Sequence, residues 1–256
     1  MGEVDVGAWT PRAYLDQYYA TPEVPDDSRA ILGFVHDSLG NSHYERALEF
    51  GCGPALYTAF TIAPHVGRLD FSDLRAENLA EIDAWRTGRP EAFDWALYAT
   101  YAVGLEGADT TMSAAVSSRM DLLRRKMGNL FVADIRDVIT FGGKGCYDLV
   151  TSFFCIECAD FNVNAWNSYF ARLANMVRPG GRLVLASLLG CDSYAVFDSH
   201  IPVTHLNEGD LWNALENSVL DVASAAVCTV EVGDWKDQGF NQICLLRADR
   251  PNPDAR

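Results

Sequence analysis

The sequence predicts an α/β protein with a doubly wound, mostly parallel sheet. Short apolar runs alternate with amphipathic segments along most of the chain, which is the order of a strand–helix–strand fold. The first apolar run leads directly into a turn with two glycines, Gly51-Cys52-Gly53. Two strand-like runs near the end of the chain, residues 221–232 and 241–247, have no room for a helix between them and should pair antiparallel. A sheet of this class binds its ligand at the carboxyl ends of its strands.

The individual elements follow from the spacing of the apolar residues. Helices are expected at residues 11–20, 28–39, 75–87, about 111–127 and 164–176, and another is expected to start at Pro54, since proline suits a first helical turn. Strands are expected at about residues 46–50, 66–70, 130–133, 147–152 and 182–186, ahead of the terminal pair.

The same pattern predicts the domain organisation. Residues 1–40 should form an N-terminal helical lid, because the segment 11–20 is rich in tyrosine and nothing in the sheet requires it. Residues 41–250 should form the main domain, with a helical insertion at about 90–128. Residues 251–256 should be a frayed tail.

Composition excludes several classes of protein. The chain has 256 residues, of which 49% are hydrophobic, and this content argues against disorder. No apolar run approaches the ~20 residues that a membrane span needs, so we expect no membrane association. A formal charge of -15 leaves no cationic surface for nucleic acid.

Cysteines and histidines show no pattern of metal ligands. Seven cysteines, an odd number, lie mostly within apolar runs, which predicts buried free thiols in a reducing cytoplasm. Cys155 and Cys158 form a CxxC motif, but no second pair accompanies it. The five histidines lack ligand spacing, so we expect no metal.

The two-glycine turn and the acids after it predict a nucleotide-like cofactor. Gly51 and Gly53 would let the backbone approach a ligand closely, and Asp70, seventeen residues after Gly53, would accept from two ribose hydroxyls. Asp134, at the end of the third strand, faces the same crevice. Leu56 occupies the position of the third glycine in a GxGxxG motif, which favours S-adenosylmethionine (SAM) over a dinucleotide. The alternative is an ordinary turn and a solvated acid.

Several motifs resemble one family of enzymes. They are residues 11–19 (PRAYLDQYY), the turn 51–54 with Tyr57, residues 90–95 (PEAFDW), residues 154–157 (FCIE) and residues 178–181 (RPGG). Together they resemble the nicotinamide, phenylethanolamine and indolethylamine (thioether) N-methyltransferases, in the same order over nearly the whole chain. The resemblance implies a class I, Rossmann-like methyltransferase fold. Such a fold has a mostly parallel seven-stranded sheet, a terminal antiparallel hairpin and an N-terminal helical lid.

The resemblance also implies a set of residues that bind SAM and its product S-adenosylhomocysteine (SAH). Gly51 and Gly53 would approach the methionine portion, and Tyr19 and Tyr57 would bind its carboxylate. The remaining contacts would come from Asp70 and Asn78 at the ribose, Asp134 at the adenine amino group and the Ile135 amide beside it.

For the methyl acceptor, the resemblance points to Glu157. This acid would pair with the substrate amine and take its proton, although a glutamate that initiates a helix is the alternative interpretation. Asp237 would be a second acid facing the amine. Tyr14, Tyr18 and Tyr194 would wall the pocket, unless they are simply core aromatics.

Two departures from the family pattern bear on the substrate and the cofactor rim. The nicotinamide-type enzymes have an acid where this chain has Ser187, which makes nicotinamide a doubtful substrate. The stretch from Asp70 to Asn78 is also three residues longer here than in those enzymes.

The sequence as a whole predicts a cytoplasmic SAM-dependent N-methyltransferase (EC 2.1.1) of a small amine, guanidine or N-heterocycle. Three alternatives remain: O- or S-methyl transfer, a catalytically silent SAM-binding module, and a nicotinamide-linked oxidoreductase. Leu56 and the terminal hairpin count against the oxidoreductase. The expected partner is a small molecule, and the oligomeric state is left open.

Overall fold

A computed structural model describes residues 10–108, 113–137, 145–197 and 199–253 of the chain. Its helices are α1 (Pro11–Tyr18), α2 (Asp26–Leu39), α3 (Ala59–Ile62), α4 (Ala76–Arg86), α5 (Ala96–Leu105), α6 (Ser113–Lys126), α7 (Val163–Met176) and α8 (Glu208–Glu216). Its strands are β1 (Tyr44–Phe50), β2 (Val66–Asp73), β3 (Met127–Val132), β4 (Tyr147–Phe153), β5 (Val177–Leu188), β6 (Ser193–Val196), β7 (Ser199–Pro202), β8 (Asp221–Glu231) and β9 (Gln242–Asp249). The predictions for residues 1–9 of the lid and 254–256 of the tail lie outside the described residues.

Seven of the strands form one sheet, in the order β3-β2-β1-β4-β5-β9-β8. Strands β1 to β5 are parallel, whereas β9 runs antiparallel to both β5 and β8. The predicted fold class, including its terminal antiparallel hairpin, is therefore confirmed. The chain order reverses between β2 and β4 on the two sides of β1, and such a switch point opens a crevice at the carboxyl ends of the strands.

The sheet separates two apolar layers. One layer is built around α2 to α6, with Leu32, Phe60 and Ile82 among its buried side chains. The other is built around α7 and α8, where Phe170 and Leu211 are fully buried. Side chains of this size contribute about 1.5–3 kcal/mol each when they leave water, so the two layers hold the strand ends in fixed positions.

Two predictions about element boundaries are wrong. Residues 54–58 form turns rather than a helix, and α3 has only four residues because Pro64 follows it and cannot donate a helical hydrogen bond. Strand β2 continues three residues beyond its predicted end at Asp70 and finishes at Asp73.

The sequence analysis also missed four elements. These are the hairpin of β6 and β7 and the helices α5 and α8, although α5 falls within the predicted helical insertion at about 90–128. Helix α8 starts with a capping box in which the Asn207 side chain accepts from the Gly209 amide and the Asp210 carboxylate accepts from the Asn207 amide.

Among the described residues, no helix combines the length and the apolar character that crossing a membrane would require.

We predict that Gly51→Ala destabilises the protein much more than Gly53→Ala. Both glycines have positive φ, +66° and +58°, so alanine costs about 1–2 kcal/mol at either position. At Gly51 a Cβ would lie 1.9 Å from Cys155 Sγ, whereas at Gly53 it would meet no atom within 4 Å. Urea unfolding of the cofactor-free variants measures the difference, which should exceed about 1 kcal/mol. Equal losses of stability would contradict this account of the turn.

Candidate active site

A cleft of about 770 Å³ lies at the carboxyl ends of β1, β2 and β4. Most of the site residues predicted from the sequence line it, namely Tyr14, Tyr19, Gly51, Gly53, Tyr57, Asn78, Asp134, Ile135 and Tyr194. Four predicted residues are not part of its lining, namely Tyr18, Asp70, Glu157 and Asp237. Asp237 is exposed in the connection between β8 and β9, away from the cleft.

Asp70 lies inside the sheet and not at its edge. It is only 1% exposed, and its carboxylate accepts hydrogen bonds from Arg68 Nε at 2.8 Å, the Asn129 amide at 2.7 Å and the Tyr147 hydroxyl at 3.3 Å. These bonds tie β2 to β3 and β4. The predicted position of Asp70 at the mouth of the cleft is therefore wrong, because β2 extends past it.

Asp73 occupies the strand end where the sequence analysis expected Asp70. Its carboxylate accepts from the Gly53 amide at 2.8 Å, the Arg75 amide at 2.9 Å and Asn78 Nδ2 at 2.8 Å. Burial raises the pKa of the Asp73 carboxyl, while these three donors oppose that shift. If Asp73 rather than Asp70 is the acid at this strand end, the stretch from that acid to Asn78 is three residues shorter. The apparent three-residue difference from the nicotinamide-type enzymes then disappears.

Glu49 is a second cleft residue that the sequence analysis missed. It lies in β1, two residues before Gly51, and is 2% exposed. Oε1 accepts from the Thr58 hydroxyl at 2.8 Å, and Oε2 has no hydrogen-bond partner among the described residues. Burial raises the pKa of this carboxyl to about 8. The sequence signal that could have identified Glu49 as a candidate site residue is a charged side chain within an otherwise apolar strand that leads into the two-glycine turn.

Asp134 lines the cleft just beyond β3, but its carboxylate is already engaged. Both oxygens accept from Arg136 Nε at 2.9 Å, and Oδ1 also accepts from the Arg136 amide at 2.8 Å. These contacts lower the pKa of Asp134, so it carries a negative charge at neutral pH.

Tyr19 and Tyr57 both line the cleft and pack against each other, with 5.4 Å between their ring centroids. The PEAFDW segment holds Tyr19 there, since Trp95 packs against Tyr19 at 5.3 Å and against Phe93 at 4.7 Å. Arg12 of α1 lies 5.4 Å from the centre of the Phe93 ring and donates to the Glu91 carbonyl at 3.0 Å. The segment therefore fixes α1 over the cleft.

The hairpin of β6 and β7 contacts α1 from the other side. The hydroxyl of Tyr18 donates to the Ala195 carbonyl at 2.5 Å, and Gln17 Oε1 accepts from the Phe197 amide at 3.0 Å. Tyr18 itself is buried behind Tyr14 and Tyr194, at centroid distances of 5.0 Å and 6.5 Å, so it supports the aromatic wall without lining the cleft.

Glu157 lies just after β4, between the cleft residues Cys155 and Cys158, but is 0% exposed. Its Oε1 accepts from the Leu188 amide at 2.9 Å, whereas its Oε2 is only 3.5 Å from the Ser187 hydroxyl. Burial raises the pKa of the carboxyl to about 7. Its charge in turn contributes to raising the pKa values of Cys155, Cys158 and Tyr194, which do line the cleft.

Phe154, which follows β4 into the cleft, has a strained backbone. Its φ is +53°, a backbone angle that residues other than glycine rarely adopt. Its amide donates to the Ala186 carbonyl at 2.9 Å. Strain of this kind clusters at functional sites.

Nowhere in the described ranges do three His, Cys, Asp or Glu side chains come close enough together to hold a metal ion.

Comparison with known proteins assigns the chain to a family. A sequence profile of the NNMT/PNMT/TEMT family matches residues 4–250. The chain belongs to this family. It is a SAM-dependent N-methyltransferase of small-molecule amines, in class EC 2.1.1.

Individual relatives in the NNMT/PNMT/TEMT family are distant. The indolethylamine N-methyltransferase of Mus musculus is 24% identical over 218 residues, which cover 82% of this chain and 81% of that protein. The phenylethanolamine N-methyltransferase of Homo sapiens is 23% identical over 221 residues, which cover 81% and 76%. The nicotinamide N-methyltransferase of Homo sapiens is 24% identical over 196 residues, which cover 73% of each chain.

A solved structure shares the fold of this methyltransferase. The 1,6-didemethyltoxoflavin-N1-methyltransferase of Burkholderia thailandensis, crystallised with SAH, superposes with a TM-score of 0.56 at 15% identity. The match covers 93% of this chain and 84% of that one.

The cleft of this family member suits SAM on its own geometry. The unpartnered Oε2 of Glu49 can accept from an ammonium group, and the open space beside Gly53 admits a ligand against the backbone. Leu74, Val132 and Phe161 line the cleft with 53%, 63% and 49% of their surfaces exposed, which gives an apolar rim for a flat ring.

We predict that Asp73→Asn weakens SAH binding tens- to hundredfold, whereas Asp70→Asn leaves it unchanged. Each charge-assisted hydrogen bond to a ribose hydroxyl contributes about 1.5–3 kcal/mol, and asparagine keeps the shape but loses the charge. Asp70→Asn should instead lower the free energy of unfolding, since it removes the buried partner of Arg68. Titration calorimetry and urea unfolding separate the two outcomes. A loss of SAH affinity in Asp70→Asn equal to that in Asp73→Asn would return the ribose role to Asp70.

Proposed function

We propose that this methyltransferase transfers a methyl group to the basic nitrogen of a small amine, guanidine or N-heterocycle, with Glu157 as the group that takes the proton. The observation that carries the proposal is a wholly buried carboxylate between the cleft residues Cys155 and Cys158, with one oxygen fixed by the Leu188 amide and the other only loosely held. The proposed compartment is the cytoplasm, which suits free thiols such as those of Cys52, Cys155 and Cys244.

In the proposed cofactor site, four sets of residues bind four different parts of SAM. Asp73, assisted by Asn78, would bind the ribose hydroxyls, and Glu49 would accept from the methionine ammonium group. Tyr19 and Tyr57 would donate to its carboxylate. Asp134 and the Ile135 amide would meet the adenine edge, with the Asp134 carboxylate held in place by Arg136. When bound, SAM supplies an electrophilic methyl group for displacement by the acceptor nitrogen.

At the acceptor end, Glu157 would act as a general base. A protonated amine cannot be methylated, because its lone pair is occupied, so an enzyme acting on a basic nitrogen must remove a proton near the methyl group. Burial brings the pKa of Glu157 to about 7, which suits a group that must gain and lose a proton at neutral pH. The fixed Oε1 would keep the side chain in place while Oε2 turns to the acceptor.

Residues 1–40 are proposed to act as a lid over both ligands. Helix α1 is held by Arg12 on the PEAFDW segment and by Gln17 and Tyr18 on the β6–β7 hairpin. Contacts at both ends would let α1 exclude water while alignment of the reactants supplies several kcal/mol of the rate enhancement.

The pH dependence of turnover tests the role of Glu157. A base with a pKa of about 7 must be ionised to act, so kcat/KM should rise with pH up to about 7 and then level off. Glu157→Gln keeps the hydrogen bond from the Leu188 amide but should lower kcat by a factor of ~10²–10⁴ and abolish the rising limb, with SAH affinity unchanged. The assay is a labelled methyl-transfer screen over amines, guanidines and N-heterocycles.

Two outcomes of that screen would overturn the amine role. Full activity of Glu157→Gln on the substrate that the screen identifies would remove Glu157 from the chemistry. A phenol or thiol as the best acceptor would favour O- or S-methyl transfer, for which a nearby anion hinders deprotonation.

Cofactor affinity should also depend on pH, through Glu49. In the free protein the pKa of Glu49 is about 8, so the carboxyl is mostly protonated at neutral pH and must release a proton to bind an ammonium group. SAH affinity should therefore rise between pH 6.0 and pH 7.5, by up to about tenfold per unit. Glu49→Gln should flatten this dependence and weaken binding at pH 7.5. Glu45→Gln, an exposed change on the same strand, is the matched control.

Calorimetry in two buffers with different ionisation enthalpies counts the released protons directly. Proton release by Glu49→Gln equal to that of the unmodified protein would assign the linkage to another group.

A further inference from the structure

One buried carboxylate near the cleft has no role in the chemistry proposed above. Asp27, in the first turn of α2, is 7% exposed, and its Oδ1 has no hydrogen-bond partner among the described residues. No ion pair among the described residues includes it. The Trp235 and Ser28 side chains and the Ser28 amide lower the pKa of Asp27 in part, but no cationic side chain of the described ranges neutralises the carboxylate. A buried carboxylate without a counter-ion is costly, so its retention favours a role toward a positively charged ligand.

The surroundings of Asp27 are aromatic. The neighbouring Asp26 accepts hydrogen bonds from the Gly233 and Asp234 amides, which brings the loop carrying Trp235 against the start of α2. Trp235 packs on Tyr18 with 4.9 Å between the ring centroids, and Tyr18 packs on Tyr14 at 5.0 Å. Asp27 therefore lies behind a continuous aromatic wall, of which Tyr14 is the face toward the cleft.

The negative charge of Asp27 acts on the tyrosines of this wall and on those packed next to it. It contributes to raising the pKa values of five tyrosines, namely Tyr14, Tyr18, Tyr19, Tyr57 and Tyr98. Burial raises the pKa of Asp27 itself to about 6, so the group is mostly ionised at pH 7.5. The negative charge attracts a cation across the low-dielectric aromatic layer, and the ring faces that line the cleft attract the same cation through their π electrons.

We propose that Asp27 determines acceptor specificity, by making the aromatic end of the cleft select a cationic ligand over a neutral ligand of similar shape. This inference rests on the proposed transfer to a basic nitrogen and names its preferred acceptor as one that arrives protonated. Asp27 acts through the tyrosines and is a positioning residue, whereas Glu157 handles the proton.

The test compares two probes on SAH-saturated protein at pH 7.5. They are 2-phenylethylamine, which is protonated at this pH, and 2-phenylethanol, which is neutral. We expect the protein to bind the cation about tenfold more tightly, in line with a desolvated cation–aromatic contact. In Asp27→Asn the preference should fall below about threefold, with SAH affinity unchanged. Asp37→Asn, an exposed change of equal charge at the other end of α2, is the matched control and should keep the preference.

Thermal stability separates this role from a structural one. Removing a buried charge that has no counter-ion should leave the melting temperature of Asp27→Asn equal or higher, whereas loss of a structural contact would lower it. Asp27→Leu, which fills a similar volume without polar atoms, is the second variant and should lose the preference to the same extent.

Several results would overturn the proposal. They are no cation preference in the unmodified protein, a preference retained in both Asp27 variants, and a preference lost in Glu157→Gln but kept in Asp27→Asn. A changed ratio of SAM to SAH affinity in Asp27→Asn, with acceptor preference intact, would show that the charge serves the sulfonium of the cofactor instead. Failure of the proposed methyl transfer itself would appear separately, as no labelled product from any amine in the screen.

Discussion

The hydrogen bond from the Gly53 amide to Asp73 is the contact on which the cleft depends. It joins the turn after β1 to the last residue of β2, and the same carboxylate holds Arg75 and Asn78 at the start of α4. The turn can reach Asp73 only because Gly51 and Gly53 adopt positive φ, and at Gly51 because no side chain competes with Cys155 for space. Backbone freedom at two positions thus creates the surface that faces the ligand.

Buried carboxylates around this turn give the site its electrostatic character. Glu49, Asp73, Glu157 and Asp27 are all less than a tenth exposed, and burial raises the pKa of each. Desolvating a carboxylate is unfavourable unless its hydrogen bonds offset the cost, as the three donors to Asp73 do. These buried carboxylates suit ligands that bring positive charge, as SAM and a protonated amine both do. The proposed function would therefore explain why the chain keeps buried carboxylates near its cleft.

The PEAFDW segment illustrates how a motif can act at a distance from the chemistry. None of its side chains belongs to the proposed catalytic group, yet Trp95 fixes Tyr19, and Phe93 with the Glu91 carbonyl fixes Arg12. Together with the contacts of Gln17 and Tyr18 on the β6–β7 hairpin, these interactions hold α1 between two parts of the sheet domain. Helix α1 and the cleft are in this way one packed unit.

The sequence by itself determined the fold class, the alternation of strands and helices, the antiparallel end of the sheet and the two-glycine turn. Apolar periodicity and the backbone freedom of glycine are local properties, which a sequence displays directly. The tertiary structure alone decided that Asp73 and not Asp70 ends β2, because pairing with β3 at Val132 extends the strand beyond its apolar run. It also decided that Glu157 and Asp27 are buried and that Asp237 is exposed. Burial depends on what packs against a residue from distant parts of the chain, and no local pattern records that.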